Sequence, residues 1–262
     1  MRLIFIHSYM MEHISIGTQI QDLVNMIGAA RSITFFSQNK RAGGGFTLSG
    51  GTETTVGSDK VLTFTTNGTL TVNGSGTIQI LVVGGGQNGE NGVSSFGSWR
   101  GGAGGSGGAV NYIASHTVTS GSYNIVVGDV NQTSSTLGYS AAGGAGAAGG
   151  AARIDVYASG FNGTNGTSNS ITGTSVVYGS GAGGGAASYN GNPSALSGGS
   201  GGTGAGNGGG TTAGVPTNPT SSSAGTNYGA GGGGGAGVRN TSNSGTGSAG
   251  VQGVVIIRYT PN

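Results

Sequence analysis

Apolar residues change period along the chain. Over 12–31, Ile16, Ile20, Leu23, Val24 and Ile27 recur at steps of three and four. That is the spacing of one face of an α-helix of about four turns. It predicts a short amphipathic N-terminal helix, covered either by the protein's own β-domain or by another subunit. From residue 60 the period falls to two. Leu62 and Phe64 alternate with Thr63 and Thr65, and Leu70 and Val72 resume the alternation after Asn67-Gly68, a dipeptide favoured in two-residue hairpins. This predicts two paired strands. A second turn at 73–76 leads into Ile78, Ile80 and Val82, whose neighbours Leu81 and Val83 are apolar too, as in a strand buried on both faces. Further strands read at Tyr123–Val127 and Val254–Tyr259, the last expected to join the first ones and close the fold.

Between those strands, side chains give way to glycine. GGAGGSGG, GGAGAAGG, GAGGG, GGSGGTGAGNGGG and GAGGGGGAGV follow one another, and Gly supplies 63 of the 262 residues. Glycine loses the most backbone entropy on ordering, so Gly/Ser segments stay flexible when nothing holds them. As linkers, however, they would separate the strand at 123–127 from its partners by loops far longer than compact domains contain. Order has a physical route. A left-handed threefold helix of the polyproline II type rises about 3.1 Å per residue without internal hydrogen bonds, so nine residues span about 28 Å. Its backbone groups must bond sideways, and glycine lets such helices approach closely enough. Four prolines and no strict Gly-X-Y period exclude collagen. The expected architecture is mainly β: a small antiparallel β-sandwich or sheet base plus a glycine-rich polyglycine II helix bundle, with a short N-terminal helix.

Composition narrows the function. Ile, Leu, Val and Phe make up about a fifth of the chain, too few for an ordinary core throughout. Yet with 6% charged residues and a net charge of +2 it is no charged disordered polymer either. Apart from the small cluster Arg31, Lys40 and Arg41, the basic residues are scattered and form no stripe that could neutralise phosphates, which argues against nucleic acid. There is no cysteine for disulfides or thiolate metal sites. No apolar run nears the roughly 20 residues that cross a bilayer, so no membrane insertion is expected. MRLIFIHSYMM is only a weak secretory pattern.

Catalytic motifs are equally thin. The acids and the histidines His7, His13 and His116 fall at no catalytic or metal-ligand spacing. Residues 104–108 read G-x-S-x-G and 84–86 follow a strand as a phosphate loop would, but neither precedes a helix and no Lys-Ser/Thr pair follows the second. Asp129 and Asp155 are too sparse for calcium-binding glycine repeats. Neither enzyme activity nor a cofactor is expected. Asn-x-Thr triplets such as Asn162-Gly163-Thr164 would matter only in a eukaryotic secretory pathway.

The order of motifs carries a resemblance. GTLTVNGSGTIQILVVGGG, SSFGSWRGGAGGSGGA, GSYNIVVGD and finally GGGGGAGV with GVVIIRY resemble the glycine-rich domain of phage and other viral structural proteins, over about residues 60–260. In that family a strand ending in VVGGG enters a glycine tract, a YxVxVG strand returns midway and a VxIRY strand closes the domain. More loosely, the chain is similar to the distal tail-fibre adhesins of T-even-like phages, whose polyglycine II bundle carries variable loops against a host receptor. The resemblance implies a glycine-rich domain over 46–262, with its β base near 60–83, 123–127 and 253–259, behind an attachment segment over 1–45. It also implies a place on the virion exterior, or otherwise outside a cell. Other virion proteins would bind the N-terminal segment and a host-surface protein or glycan the loops.

On such a bundle the segments between tracts are exposed tips: VSSFGSWR (93–100), ASYNGNPSALS (187–197) and TTAGVPTNPTSSSAGTNY (211–228). Each mixes small polar residues with Tyr, Trp, Pro or Arg, the make-up of a binding loop with rigid aromatic anchors. The candidate receptor contacts are Phe96, Trp99, Arg100, Tyr189, Asn190, Pro193 and Tyr228, with Trp99 alternatively capping the apolar end of the β base. The leading expectation is a tail-fibre or spike tip adhesin. A purely structural capsid, baseplate or fibre-joint protein is the alternative. An ice-binding or extracellular matrix glycine-rich protein is weaker, because tract lengths are irregular and no Thr or Ser row repeats.

Overall fold

The computed structural model describes residues 45–154, 157–215 and 217–262. The helix expected over 12–31, with Ile16, Ile20, Leu23, Val24 and Ile27, lies outside them, as do His7, His13 and Asp155. The described residues are mainly β, with no helix among them. The strands are β1 (Thr47–Ser49), β2 (Thr52–Val56), β3 (Asp59–Phe64), β4 (Gly68–Asn73), β5 (Gly76–Val83), β6 (Arg100–Gly101), β7 (Val110–Val118) and β8 (Gly121–Val126). There follow β9 (Ser134–Thr136), β10 (Tyr139–Ala141), β11 (Arg153–Ile154), β12 (Thr167–Asn169), β13 (Val176–Tyr178), β14 (Ala187–Tyr189), β15 (Gly237–Arg239) and β16 (Val254–Tyr259).

Two antiparallel sheets, β1-β4-β8-β9-β10 and β2-β3-β16-β5-β7, share one core. Period-two alternation sets Leu48, Leu70, Val72 and Ile125 of the first against Phe64, Ile80, Val82, Val255 and Ile257 of the second. Each such side chain contributes about 1.5–3 kcal/mol by leaving water. The second sheet is covered on its other face as well. There Val61, Leu81, Val83, Val254 and Ile256 pack with Ile171 and Tyr178 from the β12–β13 segment. That double burial explains the consecutive apolar positions of β5. β16 lies between β3 and β5, with Ile257 opposite Leu62 on one side and Ile80 on the other, so the last strand closes the sheet.

The Asn67-Gly68 turn differs from the sequence expectation. β3 pairs with β2 and β16, while β4 pairs with β1 and β8, so the turn carries the chain from one sheet to the other and joins no hairpin. The two-residue type I′ turn that Asn-Gly favours needs positive φ at both central residues, and neither Asn67 nor Gly68 adopts it. Asn67 Oδ1 instead accepts the Val127 N–H at 2.8 Å and fastens this corner beside β8.

From the end of β5 extended tracts, most of them glycine-rich, run out and back. Tracts 1 to 5 cover 84–92, 101–108, 143–150, 158–166 and 179–187; tracts 6 to 10 cover 197–203, 204–211, 219–226, 229–237 and 244–253. Tract 5 shows how they are held. Gly181, Gly184 and Ala187 donate their N–H groups to tract 4, Ala182 and Gly185 to tract 2, and Gly183 and Ala186 to tract 7. Successive donors therefore visit three neighbours in rotation. Tract 9 does the same towards tracts 5, 1 and 8. Both tracts are buried throughout, where unpaired backbone groups are costly. A Cβ on Gly183 would collide with the carbonyl oxygen of Gly199, and one on Gly185 with that of Gly235.

Further out, side chains replace backbone acceptors. In tract 1, Asn88 and Asn91 accept the N–H groups of Gly250 and Gly247 at 2.9 and 2.8 Å. In tract 4, Asn162 and Asn165 accept those of Ser200 and Thr203, both at 2.8 Å.

Candidate functional site: the distal loops

The outward tracts end in loops and the chain returns, which gathers the described residues 93–100, 151–154 with 157, 188–196, 212–215 with 217–218, and 238–244 at the end away from the sandwich. Val238 N–H donates to Ser94 Oγ at 2.8 Å, and Asn240 N–H to the Ser95 carbonyl at 3.3 Å. Asn190 N–H reaches the Arg239 carbonyl at 3.1 Å, and Thr217 N–H reaches Asn190 Oδ1 at 3.0 Å. Asn192 is wholly buried. Its Oδ1 accepts the Tyr157 hydroxyl at 2.7 Å while its Nδ2 donates to Ser188 Oγ at 2.9 Å. The loops are thereby knitted into one surface.

That surface is apolar and cationic at once. Phe96 is 79% exposed, Val215 80%, Ile154 60%, Tyr157 47% and Tyr189 43%. Of the exposed large apolar side chains among the described residues, only Tyr112 and Phe161 lie elsewhere. The Arg239 guanidinium sits 4.8 Å from the Trp99 ring centroid and that of Arg153 3.4 Å from the Phe161 centroid, contacts worth about 0.5–1 kcal/mol at exposed sites. Tyr157 and Tyr189 tilt against each other at 5.7 Å. Arg100 Nη1 pairs with Glu90 Oε2 at 3.0 Å.

Phe96, Trp99, Arg100, Tyr189, Asn190 and Pro193 all stand at this end. Tyr228 does not. It is half-buried at the sandwich end against the cluster of Val61, Leu81 and Tyr178, and its carbonyl accepts the Gly179 N–H at 3.1 Å. The segment 211–228 thus divides into a distal loop and tract 8. Sequence reasoning passed over Arg153, Ile154, Tyr157, Asn192 and Arg239. A usable signal was there: AARIDVY stands between GGAGAAGG and ASGFNGTNG, where the rhythm of tracts requires a reversal.

The perturbed ionisable groups belong to the sandwich and to the β12–β13 segment packed on it. Hydrogen bonds from Thr260 and Arg258 hold the Asp59 carboxyl below the usual aspartate range, tying the C-terminal strand to the start of β3. The hydrogen bond to Glu53 raises Lys60, and burial pushes the Tyr178 phenol up. Ser106, the centre of the G-x-S-x-G match, lies inside tract 2 with its carbonyl accepting the Gln87 N–H, so no strand-to-helix elbow surrounds it. Among the described residues no three His, Asp or Glu side chains are grouped to hold a metal. Comparison with models of known families gives no match, and comparison with curated proteins finds no relative.

Proposed function

We propose that the protein is a non-enzymatic virion component, a tail-fibre or spike tip adhesin, in which a polyglycine II bundle carries receptor-binding loops away from the β-sandwich. The rotation of successive N–H donors among three neighbours supports the bundle, because a helix with three residues per turn presents its donors in that way. One observation carries the binding role: exposed apolar side chains and arginines concentrate on the distal loops. The partner is a host-surface protein in preference to a glycan. Sugars stack on rows of open aromatic faces, and at this end Phe96 alone of the described rings offers one, since Arg239 lies over Trp99 and Tyr157 leans on Tyr189. What projects freely is Phe96, Ile154 and Val215, pins suited to apolar pockets in a protein. The segment over 1–45 attaches the molecule to other virion proteins, on the particle's exterior.

The test is the double substitution Phe96→Ser and Val215→Ser. Both side chains are about four-fifths exposed, so Tm should not change measurably. Particles carrying the variant should assemble normally yet adsorb to host cells about thirtyfold less, the loss expected when two interface anchors worth about 1 kcal/mol each are removed. Unchanged adsorption with defective assembly would assign these loops to contacts between virion subunits, the purely structural reading.

A further inference from the structure

Asn-Gly is the dipeptide in which an asparagine side chain is most open to attack by its own backbone, since the following residue has no side chain to block the approach. The glycine nitrogen attacks the asparagine Cγ. An N–Cγ bond forms, the Cγ–Nδ2 bond breaks, and ammonia leaves with the proton given up by the glycine amide. Water then opens the succinimide at either carbonyl, leaving aspartate or isoaspartate, with nothing oxidised or reduced.

The chain contains eight Asn-Gly pairs, and five lie in the tracts. In these five both reacting groups are engaged. Oδ1 of Asn88, Asn91, Asn162, Asn165 and Asn207 accepts a backbone N–H of a neighbouring tract at 2.8–2.9 Å. The N–H of the following glycine donates as well: Gly89 to Ser248, Gly92 to Gly245, Gly163 to Ser200 and Gly208 to Gly199 through carbonyls, and Gly166 to Ser180 Oγ. Ring closure needs both groups released together, so a tract must part from its neighbour first. Asn73 differs. It is exposed at the end of β4, and its carboxamide makes no hydrogen bond among the described residues; only the Gly74 N–H is held, by Ser120 Oγ at 2.8 Å.

We propose that the five tract asparagines are modification sites gated by tract packing. They are inert while the side-chain clasps are closed and convert to aspartate or isoaspartate when a tract opens, whereas Asn73 converts in the folded protein once the single Gly74–Ser120 hydrogen bond lets go. Conversion is one-way. Isoaspartate routes the main chain through an extra carbon, which breaks the three-residue hydrogen-bond register, and either product brings a carboxylate into the clasp. The inference rests on the lateral hydrogen bonds that also support the proposed bundle.

Peptide mapping by mass spectrometry tests it, on the full chain held at mildly alkaline pH either folded or in urea, with amide exchange followed in parallel. Conversion at the five sites should be at least about tenfold slower in the folded protein, equivalent to an opening free energy of about 1.4 kcal/mol. Asn73, with only its Gly74 N–H to release from Ser120, should be slowed by folding clearly less than the five. Fast conversion at the tract sites while Gly92 and Gly163 still exchange slowly overturns the gating and leaves the bundle standing. Fast conversion with fast exchange overturns both. An Asn73 as protected as the tract sites removes the proposed exception.

Discussion

The sandwich and the tracts are both held by lateral backbone hydrogen bonds, but their interiors are opposites. Around Ile80 the sandwich interior is built of branched side chains from two sheets, and backbone pairing is confined to the plane of each sheet. Around Gly183 there is hardly a side chain at all, and backbone pairing extends in three directions. The entropy glycine loses on ordering, up to about 1 kcal/mol more per residue than alanine, is offset in the tracts by hydrogen bonds of comparable individual worth. One region is therefore sensitive to volume removed, the other to volume added.

The strongest way to break this comparison is Gly183→Ala. Its new methyl has backbone carbonyls on its path, which cannot rotate away as a side chain can. Urea denaturation should show a loss of about 3 kcal/mol or more, at the upper end of overpacking effects. The adjacent Ala182→Gly should cost only about 1 kcal/mol, since a Cβ is already accommodated there. Equal effects at the two positions would contradict the close approach of tracts. Next in size is Ile80→Ala, where a cavity in the sandwich should cost about 3 kcal/mol in the same measurement. Amide exchange can sharpen it: the loss should speed exchange in β5 and β16 more than at the centre of tract 5.

The smallest effect concerns pH. The Asp59 carboxyl titrates below its ordinary value near 3.8, because Thr260 and Arg258 bond its charged form. Its contribution is then present above that ordinary value and disappears as pH falls through the lower folded-state value. Thermal melts of Asp59→Asn and the wild type should differ slightly at neutral pH and converge in strong acid. A difference that persists in acid would mean that packing, and not the charge, matters there.

Sequence patterning was informative where side chains carry the order. β5 and β16 could be recognised because Ile78 to Val83 and Val254 to Tyr259 combine alternation with double burial. The Asn67-Gly68 corner misled because its dipeptide favours a hairpin locally, while the pairing of β3 with β16, nearly two hundred residues distant, overrides that preference. In the tracts, periodicity of side chains has little to act on, so composition suggested sideways bonding but not which tract meets which. The same gap hid part of the distal surface. Phe96 and Tyr189 stand out among small residues, but Tyr157 sits in a segment that looks like a strand, and Tyr228 looks like a tip residue until the Gly179 bond fixes it at the other end.

Val254 pairs directly with Val83, so the first tract departs and the last returns at adjoining points of one sheet. A tug on the distal loops along the tracts would strain their lateral bonds in shear, many at once, instead of peeling them open one by one. The load would pass into β5 and β16, each flanked by partners on both sides. A molecule anchored at its sandwich and gripping at its loops would behave under tension as a laminated cable, whose strength comes from the number of weak bonds sharing the pull.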